Sequence, residues 1–551
     1  MPALRPLRLP SKHLEPMQQF ALTLDKFIDH AAKWHGAATV ATASRGTILR
    51  RTGYAELRER SNRLSGALLA LGLRTGDRVG TLAWNTQHHL ELYYATMNAG
   101  LVCHTLNPRL TPAHLSAMIN DAEDRVLAIA ASLAPVLPEL LPLCPTVERV
   151  IVLDEAVDSA IAGLCAVPVE GIDTLVEAHG TPVQWGQFDE ASAAGLCFTS
   201  GTTGRPKGVV FTHRSNYLHT MMSIQPDAYC LSAKDRILVA IPMFHANAWG
   251  LPFSAPAVGA SLVLPGRDLD GASLAALIRS EKVTIAGGVQ TVWIGLLDHL
   301  DATGEDVPSL ERVIIGGSKC PDALIRRMEE RLGVRVQTTW GMTEMSPLGT
   351  ADSIQSPPAA ERSSGRPQIG VDLELTQADG TPLARQRGTV GHLKVKGHSV
   401  IERYFNAEAS ALDARGYFDT GDLAMIDEAG NLTICGRSKD LIKSGGEWIN
   451  PAEMEAIVGR DPRVGQVAVI GKPHPKWGER PVLVVELRRG ESGDAPTWID
   501  ALRGKVADWW LPDEVVQLPR MPLAATGKID KMKLRADYED GELDRYVATR
   551  S

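Results

Sequence analysis

Short apolar runs alternate with longer amphipathic stretches as far as about residue 330, and that alternation limits the fold more than any other feature of the chain. Arg78–Ala83, Val126–Ala131, Arg149–Leu153, Arg236–Ile241, Ser261–Leu264, Thr284–Gly287 and Arg312–Ile315 read as short buried strands. Leu22–Trp34 has helical spacing, with Leu24, Phe27, Ile28, Ala31 and Ala32 on one face. Residues 54–71 repeat the pattern through Leu57, Leu64, Leu68 and Leu71, and Glu91–Ala99 reads as a further helix. Strands interleaved with helices imply α/β layers with much parallel sheet. Repeats of 20–50 residues, the mark of a solenoid, are not found.

From about residue 365 the texture changes. Val371–Thr376, Thr389–Val395, Ala424–Ile426 and Leu432–Cys435 are short β runs divided by Gly, Asp and Asn, as in a small barrel or distorted sheet. After Gly436-Arg437, alternation resumes on a smaller scale. Pro451–Val458 and Trp498–Trp509 read as helices, Val464–Ile470 and Val482–Leu487 as strands. That is a compact α+β unit of roughly a hundred residues, an ordinary domain size. The polar stretch Arg437-Ser-Lys-Asp440 is its expected hinge.

The totals narrow the class. A chain of 551 residues exceeds what one core serves, so two or more domains are expected. A net charge of −8 argues against a nucleic-acid partner, which needs a basic face. The seven cysteines are dispersed without a C-x-x-C pair, and read as buried thiols in a reducing cytosol. The opening MPALRPLRLPSKHLEP lacks the apolar core of a signal peptide, and no apolar run reaches the ~18–20 residues of a transmembrane segment. A cytoplasmic location is therefore expected.

Residues 198–208, FTSGTTGRPKG, carry the most concentrated chemistry. Ser200, Thr202 and Thr203 bring hydroxyls, and Lys207 brings a mobile cation. Gly201, Gly204 and Gly208 let the backbone bend and approach a ligand closely. Hydroxyls, free N–H groups and one ammonium suit a polyphosphate. Pro206 stands where the common P-loop has glycine before its lysine. A Ser/Thr/Gly linker is the alternative, but strand signals flank the stretch on both sides.

FTSGTTGRPKG at 198–208, TTWGMTE at 338–344, YFDTGD at 417–422, GRSKDLIKSGGEWI at 436–449 and PLAATGKIDK at 522–531 occur together in this order. The set resembles the adenylate-forming superfamily of acyl-CoA synthetases, luciferases and peptide-synthetase adenylation domains, over nearly the whole chain. The resemblance implies an α/β fold in two parts. Residues 1–437 would be a large N-terminal domain of layered α/β subdomains with a small β-barrel-like part. Residues 438–551 would be a small mobile α+β domain. The implied chemistry joins a carboxylate to AMP as a mixed anhydride. The carboxylate is itself the nucleophile, so no Ser–His or Cys–His pair is needed. Cations and donors must instead surround the α-phosphate.

The resemblance also implies residue roles. Thr199, Ser200, Gly201, Thr202, Thr203, Gly204 and Lys207 would hold the β- and γ-phosphates. Thr343 would donate to phosphate, and Glu344 would hold Mg²⁺, a hard ion suited to carboxylate oxygen. Gly317, Ser318 and Lys319, after the Gly316 turn, and Thr339, Trp340, Gly341 and Met342 would surround the adenine, with Trp340 stacking on it. Asp422 would take the ribose hydroxyls through its two oxygens, and Arg437 the ribose or phosphate. Lys528 would bridge the carboxylate and the α-phosphate, arriving from the small domain. That domain would pivot at Lys439. Gly445 and Gly446, with Lys443 and Trp448, would then line the channel for the pantetheine arm of coenzyme A.

On the acyl side, IPMFHANAWG at 241–250 and the Ala286–Trp293 stretch would form the pocket, with Gly287, Gly288, His245 and Trp249 facing the acid. Amino-acid-activating relatives carry Asp at the position of His245. PMFHANAW most resembles the branch of fatty-acyl-CoA and methylthiopropionyl-CoA ligases, where Trp249 would gate the acyl tunnel. Gln290 replaces a proline seen in relatives. The implied activity is an ATP-dependent acyl-CoA ligase for a fatty or methylthioalkanoic acid, using Mg²⁺ and CoA. A ligase loading a separate carrier protein and a luciferase-like oxidative enzyme are the alternatives. A homodimer through the large domain, with a contribution from the N-terminal arm, is a further expectation of the resemblance.

Overall fold

The computed structural model describes residues 17–18, 20–199, 206–355, 362–445, 447–524 and 527–550. Several of its helices begin where short polar side chains cap them. Thr86 accepts from the N–H of His89 to start Gln87–Asn98, and Asp270 accepts from Ser273 to start Gly271–Glu281. Thr212 and Ser215 form a reciprocal capping box at the head of His213–Ser223. The first helix, Asp25–Trp34, buries Phe27, Ile28 and Ala31 and leaves Trp34 exposed.

Two large sheets are formed among the described residues. One has seven strands in the order Val169–Gly171, Arg149–Val152, Val126–Ile129, Arg78–Leu82, Val102–Thr105, Ala193–Thr199, Lys207–Thr212. All neighbours are parallel except the last pair, in which Ala193–Thr199 runs antiparallel to the edge strand Lys207–Thr212. The other has nine strands, with Arg335–Gly341, Arg312–Ile315, Ile285–Gly288, Arg236–Val239, Ser261–Leu264 and Thr39–Ser44 running parallel through its centre. The innermost of these runs are short and largely apolar, as strands covered on both faces require. Gly287, Gly317 and Thr339–Met342 all fall at the carboxyl ends of these strands, the place where open α/β sheets bind ligands.

The β-rich stretch is a four-stranded antiparallel sheet, Val371–Thr376, Val390–Gly397, Phe418–Ile426 and Leu432–Arg437 in sequence order. One apolar cluster ties it to both large sheets, joining Leu375, Leu393 and Val395 to Cys197 and Val209 and to Ile237, Leu262 and Trp340. The C-terminal part has its own sheet, in which Gly478–Leu487 pairs with Val464–His474 and Glu514–Leu518. Separate clusters cover its two faces, one around Trp498 and Leu483, the other around Val484 and Leu534. The fold is thus a large N-terminal α/β domain followed by a small α+β one.

One element differs from the sequence expectation. The helix expected over Trp498–Trp509 is Ala495–Leu502. Arg503 leaves the helix with ψ 134° and Gly504 takes φ +68°, a conformation that glycine reaches at no steric cost. Asp508–Trp510 is a separate 3₁₀ turn. All seven cysteines are free thiols. Among the described residues no helix is long and apolar enough to cross a membrane.

Candidate functional site

The antiparallel register of Phe418–Ile426 with Leu432–Arg437 sets Asp422 opposite Arg437. Arg437 Nε lies 2.7 Å from Asp422 Oδ1, and the Trp340 indole N–H donates to Asp422 Oδ2 at 2.9 Å. Asp422 is buried, and burial raises its carboxyl pKa, opposed by Arg437, Trp340 and Lys528. The carboxylate still has lone pairs to spare, since two oxygens offer about four acceptor sites. Trp340, also buried, presents its six-membered ring to Gly349.

Lys528 enters this cleft from the small domain. It lies at a tight turn in which the N–H of Ala524 donates to the Lys528 carbonyl at 2.7 Å, and Leu523 pairs with Ile529. A side chain on Gly317 would begin 3.5 Å from Lys528 Cε, and one on Gly527 would begin 3.2 Å from Thr291 Oγ1. Gly527 and Lys528 therefore rest on the large domain. Burial and then the Arg437 cation lower the Lys528 pKa to about 8, with Asp422 opposing. Gly316 and Gly317 are required for distinct reasons. A Cβ at Gly316 would lie 2.5 Å from Thr339 Oγ1, and Gly317 has φ +86°. Ser318 and Lys319 are exposed beyond them. Gln290 Nε2 donates to Ser318 Oγ at 2.9 Å and to the Lys319 carbonyl at 2.6 Å. The proline replacement thus tethers the loop.

Thr343 and Glu344 open a buried 3₁₀ turn, Thr343–Met345, just past the strand that carries Trp340. The Tyr404 hydroxyl donates to Glu344 Oε1 at 2.9 Å, and the Ile401 N–H donates to the Glu344 carbonyl at 2.9 Å. Lys207 Nζ sits over the Tyr404 ring, 4.9 Å from its centroid. The Thr199 hydroxyl donates to the Lys207 carbonyl at 3.5 Å. Among the described residues no group of three or more His, Cys, Asp or Glu could hold a metal. One buried carboxylate whose second oxygen has no hydrogen-bond partner among the described residues fits Mg²⁺ bound together with substrate phosphates, because that ion commonly uses one or two carboxylates and phosphate oxygens. Ser200, Gly201, Thr202, Thr203, Gly204 and Gly446 lie outside the described residues.

On the acyl side His245 is followed by a left-handed turn. Ala246, Asn247, Ala248 and Trp249 have φ of 43–57° and Gly250 has 80°. Each non-glycine residue in that region costs about 1–2 kcal/mol, so packing must hold it. Trp249 is 7% exposed, its carbonyl accepts from Tyr229 at 3.4 Å, and its ring reaches the space beside Gly316. A side chain on Gly250 would strike His219. Burial first, then the Lys528 charge, lowers the His245 pKa to about 4, so the ring is neutral at pH 7. Gly287 faces Ile241 and Leu251, and Gly288 faces Trp293.

Sequence reasoning missed Asn85. Its Nδ2 donates to the carbonyls of Val239 and Ile241 at 2.8 and 2.7 Å, and its Oδ1 accepts from Met243 N–H at 2.7 Å. It holds the strand end that leads to His245. A polar residue at the carboxyl end of an apolar strand, Arg78–Leu82, was the available signal. Tyr404, the second omission, carried no local signal.

Just past the strand Leu432–Arg437, Lys439 is exposed in the 3₁₀ turn Ser438–Asp440, whose Asp440 pairs with Arg535 at 3.0 Å. Gly445 has φ +61° and its N–H donates to the Trp477 carbonyl at 2.7 Å. Lys443 Nζ lies 5.4 Å from the exposed Trp448 ring.

A buried carboxylate flanked by Trp340 and Arg437, with a lysine delivered by a second domain at the carboxyl ends of a parallel sheet, defines an adenylate-binding class of enzyme. The sequence model of the AMP-binding enzyme family matches residues 28–405, and that of the AMP-binding enzyme C-terminal domain matches 453–528. The chain is 42% identical over 536 residues to a 3-methylmercaptopropionyl-CoA ligase of Ruegeria lacuscaerulensis, covering 96% of this chain and 99% of that one. It is 41% identical to a medium-chain-fatty-acid–CoA ligase of Ectopseudomonas oleovorans, covering 96% and 98%. Among solved structures, ATP-bound MatB from Rhodopseudomonas palustris superposes with a TM-score of 0.79 at 26% identity, covering 94% and 99%. The chain belongs to the AMP-binding enzyme family, within the acyl-CoA synthetase branch of the adenylate-forming superfamily.

Proposed function

We infer that the protein is an ATP-dependent, AMP-forming acyl-CoA ligase that acts on a small-molecule carboxylic acid. The carboxylate oxygen attacks the α-phosphorus of ATP, the bond to pyrophosphate breaks, and acyl-AMP remains. The thiolate of CoA then attacks the acyl carbonyl and AMP leaves. The placement of Lys528 carries the adenylation half, because its ammonium stands between Gly317, Asp422 and His245, where carboxylate and α-phosphate must meet. Asp422 and Arg437 would hold the ribose end, Thr343 and Lys207 the phosphates, and Glu344 the magnesium ion. When bound, that ion neutralises phosphate charge.

The small domain, which we place from Ser438 onward, would turn about Lys439 after adenylation. That turn would withdraw Lys528 and bring Gly445 and Gly446 to the thiol path. Closure in each orientation excludes water from the adenylate. The neutral His245 at the acyl end gives no anion to pair with an α-ammonium, which supports an acid without an amino group. The named relatives support a methylthioalkanoic or medium-chain fatty acid. The absence of a membrane-crossing helix among the described residues is consistent with the cytoplasmic location we propose.

Three measurements test this reading. Stoichiometric AMP, pyrophosphate and thioester from free CoA are expected without oxygen; adenylate that never reaches CoA would favour a carrier protein instead. A panel of carboxylates from propionate to palmitate, with methylthio and aromatic acids, scored by kcat/KM, fixes the acid. Lys528→Ala is expected to abolish pyrophosphate release yet convert supplied acyl-AMP to acyl-CoA. Equal loss of both half-reactions would refute the two-orientation scheme.

A further inference from the structure

The segment from Ile401 to Asn406 links parts of the site that are far apart in sequence. Ile401 N–H binds the Glu344 carbonyl at 2.9 Å, and Phe405 N–H binds the Gly208 carbonyl at 2.8 Å. Any side chain on Gly208 would lie 2.8 Å from Phe405 Cβ, so the contact is close. Asn406, at φ +55°, donates to the Asp121 carbonyl at 3.2 Å and closes the segment onto a third element, the helix Pro112–Ala122. Tyr404 stands in the middle. Its hydroxyl donates to Glu344 Oε1, its ring lies under the Lys207 ammonium, and its other side meets Phe418 edge-on at 6.3 Å. Phe418 begins the strand that carries Asp422.

We propose that Tyr404 is a positioning residue for the metal–triphosphate site: its hydroxyl fixes the Glu344 carboxylate so that Oε2 faces the metal, while its ring holds the Lys207 ammonium beside the phosphates. A carboxylate has a broad terminal torsion. A donor on one oxygen removes that freedom and leaves the other oxygen to the cation, as the outer partners of metal ligands do. An ammonium over an aromatic face is held without an anion, so Lys207 can move to phosphate when the nucleotide arrives. The inference rests on the assignment of Glu344 to the metal ion.

The test uses the full chain without carboxylic acid, so that nothing turns over. Binding of Mn²⁺·ATP is followed by the electron-spin signal of free Mn²⁺, and binding of ATP alone is measured in EDTA. Tyr404→Phe keeps the ring and removes the hydroxyl. Its Mn²⁺·ATP affinity is expected to fall roughly tenfold, the lower end of what such outer partners contribute. Metal-free ATP binding and thioester formation from supplied acyl-AMP are expected to stay as in the wild type. Unchanged Mn²⁺·ATP affinity, or an equal loss with and without metal, would overturn the proposal. Glu344→Gln separates the two assignments. If it weakens Mn²⁺·ATP binding and Tyr404→Phe does not, only the Tyr404 inference fails. If Glu344→Gln changes nothing, the metal assignment itself fails.

Discussion

Lys528 should impose an alkaline limit on adenylation that an ordinary lysine would not. Its pKa is drawn from the usual value of ~10.4 to about 8, because the cleft desolvates it and Arg437 repels it. The charged form does the work, so activity is full below that pKa and is lost as pH rises through it. With a midpoint at pH 8, the ammonium fraction falls to about one-tenth at pH 9 and about one-hundredth at pH 10, whereas an unshifted lysine stays more than nine-tenths charged at pH 9. The assay is pyrophosphate release against pH. The kcat/KM for ATP, which reports the free enzyme, should decline about tenfold per unit above pH 8. The limb in kcat should lie higher, since bound triphosphate favours the cation. Arg437→Gln removes the repelling charge and should move the limb up; Asp422→Asn removes the opposing carboxylate and should move it down. Lys528→Arg, always charged, should lose the limb. A wild-type limb near pH 10, or the same limb in Lys528→Arg, would refute the assignment.

Two other outcomes follow from local geometry. Gly445 has φ +61°, and a Cβ there would lie 3.0 Å from Trp477 Cε3. Gly445→Leu should spare pyrophosphate release while slowing thioester formation from acyl-AMP at least about tenfold, one step of 1.4 kcal/mol in the barrier; equal thioester rates in the two proteins would remove Gly445 from the thiol path. Asn85→Ala strands one buried N–H and two carbonyls around Val239–Met243, at about 1–3 kcal/mol for an unsatisfied group. It should lower both the thermal-unfolding midpoint and the kcat/KM for the acid, and a thermal shift without a change in acid kinetics would show that the His245 segment does not depend on it.

The positions of several candidate site residues at strand ends were legible because those parts are local. The glycines at 316–317, the Thr343-Glu344 pair and the Gly421-Asp422 pair each sit in, or within a few residues of, the strand that places them, so a linear pattern contains the constraint. The strands Arg236–Val239, Ser261–Leu264, Ile285–Gly288 and Arg312–Ile315 were legible for the same reason, as short buried runs, whereas Thr39–Ser44 and Arg335–Gly341, interrupted by Thr and Gln, were not. The end of the Ala495–Leu502 helix was not, since apolar spacing continues through Trp509 while Gly504 turns the backbone away.

What the sequence by itself determined is the α/β layering, the change of texture near residue 365, and the resemblance that names the chemistry. What only the tertiary structure decided is which distant groups meet. Tyr404 reaches Glu344 across 60 positions and Asn85 reaches Met243 across 158. Lys528 acquires its shifted pKa only by resting against Gly317 and facing Arg437 and Asp422. Desolvation and charge–charge interaction depend on distance in space, and two domains must dock before those distances exist.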